Sequence, residues 1–253
     1  MKKLLLILLL AGLGSAFAQK SAVPVGEKLV FAASYNMAGL MTQLAQVSLS
    51  TEAVNTATKS AIHLSCEAST YSKWDSFFKI RDAYESYVDP ITLKPLLYKR
   101  DIFEGGFTKK EKYKFHKTGK SIESTVQKKR KPETKSTVAI KPGTQDIVSL
   151  IYKLRTVNFA QQSKGQITRF TAIFDEEELG VAVKYLGTER INAGVLGEKV
   201  CYKLSIGAQT SALRGKDKNL IWLTADTKKI PCLIRFSIPV GTGQLVLTQL
   251  NQK

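Results

Sequence analysis

Apolar and polar residues alternate along most of this chain, and the alternating stretches are joined by connections too short to hold a crossover helix. From Lys59 to Thr70, Ile62, Leu64, Cys66 and Ala68 fall on one side, and His63, Ser65 and Glu67 on the other. A period of two is the mark of a half-buried strand. The pattern recurs in Glu27 to Tyr35, Ala83 to Val88, Leu96 to Phe103, Phe107 to Lys117, Gln166 to Phe174, Val181 to Ile191 and Glu198 to Ile206. It returns near Ile122 to Val126 and Thr134 to Ile140, and in Asn219 to Thr224, Ile230 to Val240 and Gln244 to Leu250. In Leu40 to Ser50 the parity slips between Leu44 and Val47, which predicts a bulge.

Turn residues punctuate these stretches. Asn36 to Gly39, the two-proline segment Asp89 to Pro95, Glu104-Gly105-Gly106, Gly194 with Gly197, Asp226 to Lys229 and Gly241-Thr242-Gly243 read as reversals. Lys128-Lys129-Arg130-Lys131-Pro132 reads as an exposed hairpin tip, because strand-like sequence resumes on both sides. Parallel strands need long crossovers, so the sheet is expected to be antiparallel, with about eleven or twelve strands.

Two segments depart from the alternation. Tyr71 to Asp82 carries Tyr71, Trp74, Phe77 and Phe78 at helical spacing, and Thr144 to Val157 carries Ile147, Leu150, Ile151 and Leu154 on one face. Thr144 or Asp146 can cap the second segment, and Lys153 and Arg155 suit its carboxyl end. The expected fold is mainly β: a single, strongly curved antiparallel sheet, an open or half barrel, with two short helices covering the concave face.

Residues 1–18 read as a secretory signal peptide. Lys2 and Lys3 precede an apolar run from Leu4 to Leu13, and Ala16-Phe17-Ala18 offers a cleavage site before Gln19. Residues 19–253 are then one β-rich domain, exported and expected in the periplasm. The formal net charge is +17, which favours anionic partners: lipid headgroups, acidic glycans or an anionic membrane surface rather than nucleic acid.

Two surfaces stand out as candidate sites. Twelve basic residues crowd Lys109 to Lys141, with Lys110, Lys112 and Lys114 on one side of a strand and Lys128, Lys129, Arg130 and Lys131 at the hairpin tip. Such a patch can meet an anionic surface, or can serve only to guard strand edges. Trp74, Phe77, Phe78, Leu150 and Leu154 can line an apolar ligand pocket beneath the helices, or can be plain core.

No catalytic, metal or cofactor constellation is expected. His63 and His116 have no ligand-type neighbours, no nucleophile elbow is present, and the run Asp175-Glu176-Glu177-Glu178 reads as solvated turn. Parity places Cys201 and Cys232 on opposite faces, too far apart to bridge, which leaves Cys66 with Cys232 as the one permissible pair and three free thiols as the preferred reading.

Gln145-Asp146-Ile147-Val148-Ser149-Leu150-Ile151-Tyr152-Lys153-Leu154-Arg155 resembles an Asp-x-x-Ser-x-x-Tyr-x-x-Arg helix. Together with Trp222 to Asp226, Lys228 to Pro231 and the Gly187 to Gly197 loop pair, it is similar to a family of exported bacterial proteins known only as a domain of unknown function. The resemblance implies a fold like that of the periplasmic lipoprotein carriers and their outer-membrane receptor. By analogy, the chain is expected to be a non-enzymatic periplasmic protein holding a hydrophobic or amphiphilic envelope component. The alternative is a protein without a cavity that docks on an anionic envelope partner through its lysine-rich strands.

Overall fold

The computed structural model describes residues 21–37, 39–55, 60–208, 219–238 and 241–252; the segment expected to be a signal peptide lies outside them. Its strands are β1 Glu27–Met37, β2 Leu40–Asn55, β3 Ser60–Thr70, β4 Arg81–Val88, β5 Pro95–Glu104, β6 Phe107–Phe115 and β7 Ser121–Lys128. They continue with β8 Thr134–Ala139, β9 Ile167–Phe174, β10 Glu177–Asn192, β11 Glu198–Ala208, β12 Leu220–Thr224, β13 Pro231–Ile238 and β14 Gly241–Gln252. Each alternating stretch forms its own strand, so the sheet has fourteen strands rather than eleven or twelve. The Glu104↔Phe107 pairing leaves only Gly105 and Gly106 to reverse the chain, both at positive φ.

The spatial order is β8-β7-β6-β5-β4-β3-β2-β1-β14-β13-β12-β11-β10-β9, every ladder being antiparallel. The first and last strands, β1 and β14, pair at mid-sheet, and β8 and β9 are the edges. Bulges curl the layer. Ala33 faces Ala45 and Ser34 faces Gln43, so Leu44 is the extra residue the parity slip announced.

One α-helix, α1 Ile147–Arg155, covers the concave face. The second expected helix is absent. Tyr71 to Asp82 holds only a 3-10 turn, Ser72–Trp74. Its ends are tied together, since Thr70 N–H donates to the Ile80 carbonyl and Thr70 Oγ1 donates to Asp75, which also binds Arg81. A connection closed that tightly cannot house three helical turns.

On α1 the buried stripe mixes polar with apolar residues. Asp146 caps the helix, accepting from the N–H groups of Val148 and Ser149, while its other carboxylate oxygen accepts from Ser86 of β4. Burial pushes the Asp146 carboxyl up, against the pull of these hydrogen bonds. Tyr152 Oη donates to the Ser50 carbonyl of β2 at 3.3 Å. Arg155 forks onto Glu27 of β1 and also donates to the Lys228 carbonyl. Val148, Ser149, Tyr152, Leu154 and Arg155 are buried, whereas Ile147, Leu150 and Ile151 lie half-buried along the flanks.

Parity also misplaces the cysteines. Trp222 pairs with Leu233 and Leu223 with Pro231, so Cys232 is an unpaired bulge residue and the alternation breaks there. Its thiol lies 3.4 Å from that of Cys201.

The Glu27–Arg155 pair is buried on both sides. We expect Arg155→Ala to cost about 3–5 kcal/mol, because it strands a buried carboxylate. The double variant Glu27→Gln/Arg155→Met should lose less than the sum of the two single changes. Urea unfolding midpoints check both.

Candidate functional site

Consecutive hairpins of an antiparallel sheet alternate between its two ends. The β1–β2, β3–β4, β5–β6, β7–β8 and β9–β10 connections therefore share one rim, while the carboxyl end of α1 lies at the other, beside Glu27 and Lys228.

At the first rim the β9–β10 tip crosses to the far half of the sheet. Asp175 and Glu176 form the tip, both at positive φ. Asp175 meets Arg100 of β5 and Lys109 of β6, and both cations also face Glu111. The Arg100 guanidinium lies 4.4 Å from the Phe174 ring centre. Glu176 N–H donates to the Tyr113 hydroxyl, and its carboxylate accepts from Ser136 on β8. Glu178 accepts from the Lys141 N–H and the Thr144 hydroxyl. Gln145 then bridges to β9 in parallel register, exchanging hydrogen bonds with Thr171 and Ile173. The carboxylate run expected to be solvated turn is thus a latch that draws the two sheet edges together.

Two positive and two negative groups balance in this quartet. Partial burial would push the Asp175 carboxyl up, but Lys109 and Arg100 hold it below the usual carboxylate range. Nearby Asp82 behaves oppositely. Burial, with the Glu104 carboxylate close by, lifts it to about 6 despite a hydrogen bond from the Phe103 N–H. Arg100, Lys109 and Glu111 are buried and Asp175 is about half exposed, so the quartet clasps the hairpin tip to β5 and β6.

The structure does not assemble the expected pocket of Trp74, Phe77, Phe78, Leu150 and Leu154. The first three lie in the β3–β4 connection at the latch rim, where Trp74 Nε1 donates to the Gln43 carbonyl. Leu154 is buried with Phe159, Val183, Tyr185, Tyr202 and Leu204, and Leu150 packs on the same cluster. Under the other flank of α1, Tyr152 and Val148 join Leu29, Leu64, Tyr98 and Tyr113 in one contiguous buried cluster. Large side chains occupy that space. Open grooves occur elsewhere: about 430 Å³ over β4–β7, edged by Lys99, Asp101, Lys110 and Lys112, and about 560 Å³ beside Lys94, Phe115, His116 and Pro142.

What the aromatics make instead is a surface. Phe77 is 79% exposed, Phe78 lies over the Gly105 turn, and Phe107 is exposed beside it. On the neighbouring β1–β2 tip Leu40 is 74% exposed, and Met41 is exposed too. Lysines ring these groups: Lys73 lies over Trp74, Lys79 over Phe103, and Lys129 Nζ beside Gly106.

The basic residues divide by environment. Lys110, Lys112 and Lys114 point outward as their parity requires, while Lys109 and Glu111 point in. Lys110 pairs with Asp101 and Lys114 with Glu123. Lys112, Lys128, Lys129, Arg130 and Lys131 are exposed and make no ion pair among the described residues. His63 stacks on Tyr87 and His116 lies near Glu123. No group of three or more metal-ligating side chains occurs among the described residues.

The family model described as a protein of unknown function, DUF3108, matches residues 30–248. The chain belongs to this family. Among solved structures it is similar to a β-barrel-like protein of the DUF1849 domain of unknown function from Brucella abortus, at 11% identity and a TM-score of 0.61. That match covers 91% of this chain and 99% of the other, and it shows a shared fold. A Bacteroides fragilis protein with a YmcC-like fold, provisionally classed as exported, aligns at 8% identity and TM-score 0.33, over 92% of this chain and all of the other. A provisionally classed lipoprotein of Parabacteroides distasonis aligns at 10% identity and TM-score 0.36, over 92% and 99%. The search of curated proteins returned no match.

The residues that carry the kinship have structural tasks. Besides the keyed stripe of α1, Trp222 Nε1 donates to Glu189, and the ring lies between Lys203 and Arg235. Asp226 gathers the Thr224 hydroxyl and the N–H groups of Lys228 and Lys229 into the β12–β13 turn.

Asp82 provides a pH test of the interior. Its folded pKa of about 6 lies above the ordinary value of 3.8, so its contribution is most favourable at low pH and is lost as pH rises through about 6. We expect Asp82→Asn to raise the melting temperature at pH 7.5. The gain should shrink as pH falls through 6 and vanish near 4, as thermal scans across that range would show.

Proposed function

We propose that this chain is an exported, non-enzymatic periplasmic protein that docks on an anionic lipid surface of the cell envelope through its latch rim. The reading rests on one juxtaposition: Leu40, Met41, Phe77, Phe78 and Phe107 are exposed at the end of the sheet that also presents the exposed cations Lys128, Lys129, Arg130 and Lys131. Exposed apolar groups rimmed by cations suit an interface that is greasy below and negatively charged above. Each lysine or arginine near such a surface contributes about 1 kcal/mol, and the aromatic rings add burial. Export supplies the compartment, through the leader-like residues 1–18.

A carrier of acyl chains in the hollow is the weaker reading. The side chains that would line its pocket are dispersed, and α1 is held down by buried polar contacts that a moving lid would have to break.

The test is co-sedimentation of the chain from Gln19 onward with vesicles of phosphatidylglycerol and phosphatidylethanolamine, against neutral phosphatidylcholine vesicles. We expect binding to the anionic vesicles that weakens with salt. Lys129→Glu/Arg130→Glu/Lys131→Glu should reduce it by about 100-fold, from three contacts of about 1 kcal/mol each. Phe77→Ala/Phe78→Ala should weaken it while leaving salt dependence in place. Equal binding to neutral vesicles, binding only to acidic glycans, or a lipid retained in native mass spectra without vesicle binding would overturn the proposal.

A further inference from the structure

Cys201 on β11 and Cys232 on β13 are both fully buried, and their sulfurs lie 3.4 Å apart. They reach each other past β12, whose five residues make it the shortest strand of the sheet. Two features bring them together. Cys201 pairs with Thr224, the last residue of β12, and Cys232 is the bulge residue opposite the Trp222/Leu223 step. Thr224 then leads directly into the Asp226 turn, so β12 ends where the two thiols meet. Over this region lies the 3-10 turn Gly194–Leu196, which packs on β13 and β14. A Cβ at Gly194 would collide with the Leu247 carbonyl, so the approach is close.

We infer that Cys201 and Cys232 form a dithiol site that closes to a disulfide in the exported chain, stapling β11 to β13 across β12. The positions are 31 residues apart in sequence, so the bond closes a loop that contains all of β12. A short internal strand flanked by a bulge is where a sheet of fourteen strands is most easily parted, and the staple bridges that point.

Closure is a thiol–disulfide exchange with a partner disulfide, either of a protein oxidase or of a small molecule such as oxidised glutathione. One of the two thiols, for instance Cys201, loses its proton to become a thiolate. It attacks one sulfur of the partner, forming a mixed disulfide and expelling one thiolate. Cys232 gives up its proton and attacks Cys201 Sγ, expelling the second. Two protons and two electrons leave the dithiol, and the partner ends as two thiols. Both cysteines are buried once the sheet is complete, so the exchange belongs to folding, before the Gly194 turn settles. Cys66 stays out of it. It lies on β3, and burial, with Glu67 and Asp82 nearby, pushes its thiol up to about 12.

The inference depends on the export reading only for where the oxidant is met, and the experiment separates the two. The full-length chain is expressed in cells; one sample is recovered with rapid alkylation and mapped by peptide mass, and a second is reduced, refolded from urea in a glutathione redox buffer, alkylated under denaturing conditions and mapped in the same way. We expect one alkylated cysteine, Cys66, and a linked peptide pair containing Cys201 and Cys232. Reduction should lower the melting temperature by about 10 °C for a loop of this length. Cys66→Ser should form the same pair, whereas Cys201→Ser should leave Cys232 free. Recovery from cells in the reduced form, followed by pairing on refolding, supports the site and counts against export. Three alkylated cysteines after refolding, or any bond that includes Cys66, overturns the inference.

Discussion

Buried polar contacts along a single helix hold this molecule in one arrangement. A curled sheet of fourteen strands exposes a concave apolar face that must be covered, and an apolar helix could slide across such a face with little penalty. Here Asp146 is fixed to Ser86 on β4, Tyr152 to Ser50 on β2, and Arg155 to Glu27 on β1. Displacing α1 by one turn would strand a carboxylate, a hydroxyl and a guanidinium in a medium that solvates none of them. The apolar residues beside this stripe supply burial, and the polar ones fix position.

The same logic governs the edges. β8 and β9 end the sheet and would otherwise expose unpaired backbone. The β9–β10 tip reaches over to Arg100 and Lys109, Glu178 ties down the segment before α1, and Gln145 pairs with β9. Helix, latch and edges therefore form one connected arrangement, because the chain entering α1 is the chain that caps β9. With the interior committed in this way, the latch rim still exposes Leu40, Met41, Phe77, Phe78 and Phe107.

Much of the β architecture was legible in the sequence for local reasons. Alternation reports which side of a strand is dry, so the inward face of β3, the outward Lys110, Lys112 and Lys114, and the bulge at Leu44 all follow from it. Asp146 as a helix cap and Gly105-Gly106 as a reversal rest on equally local chemistry. What failed depended on distant partners. Hydrophobic periodicity ranks Ile147, Leu150, Ile151 and Leu154 as the inner face of α1; Leu154 is buried, but the other three lie half-buried on the flanks, because periodicity cannot know that Glu27, Ser50 and Ser86 await polar groups. The Tyr71–Trp74–Phe77–Phe78 spacing imitates a helix, yet the hydrogen bonds of Thr70, Asp75 and Arg81 close that segment into a loop. Asp175 and Glu176 look solvated until Arg100 and Lys109, more than sixty residues earlier, are placed beside them. One bulge residue, Cys232, was enough to reverse the parity argument about the thiols. Gly241 and Gly243 belong to β14 rather than to a turn, and they are small because Tyr35 and Phe236 lie against them.

The account stands or falls on whether α1 is a fixed plug or an opening lid. Amide hydrogen exchange across Leu150 to Arg155, measured against urea concentration, tests this directly. A fixed plug exchanges only through global unfolding, with the same urea dependence as the central strands β1 and β14. Exchange in α1 that is orders of magnitude faster than in those strands and insensitive to urea would mean local opening, and would contradict the account.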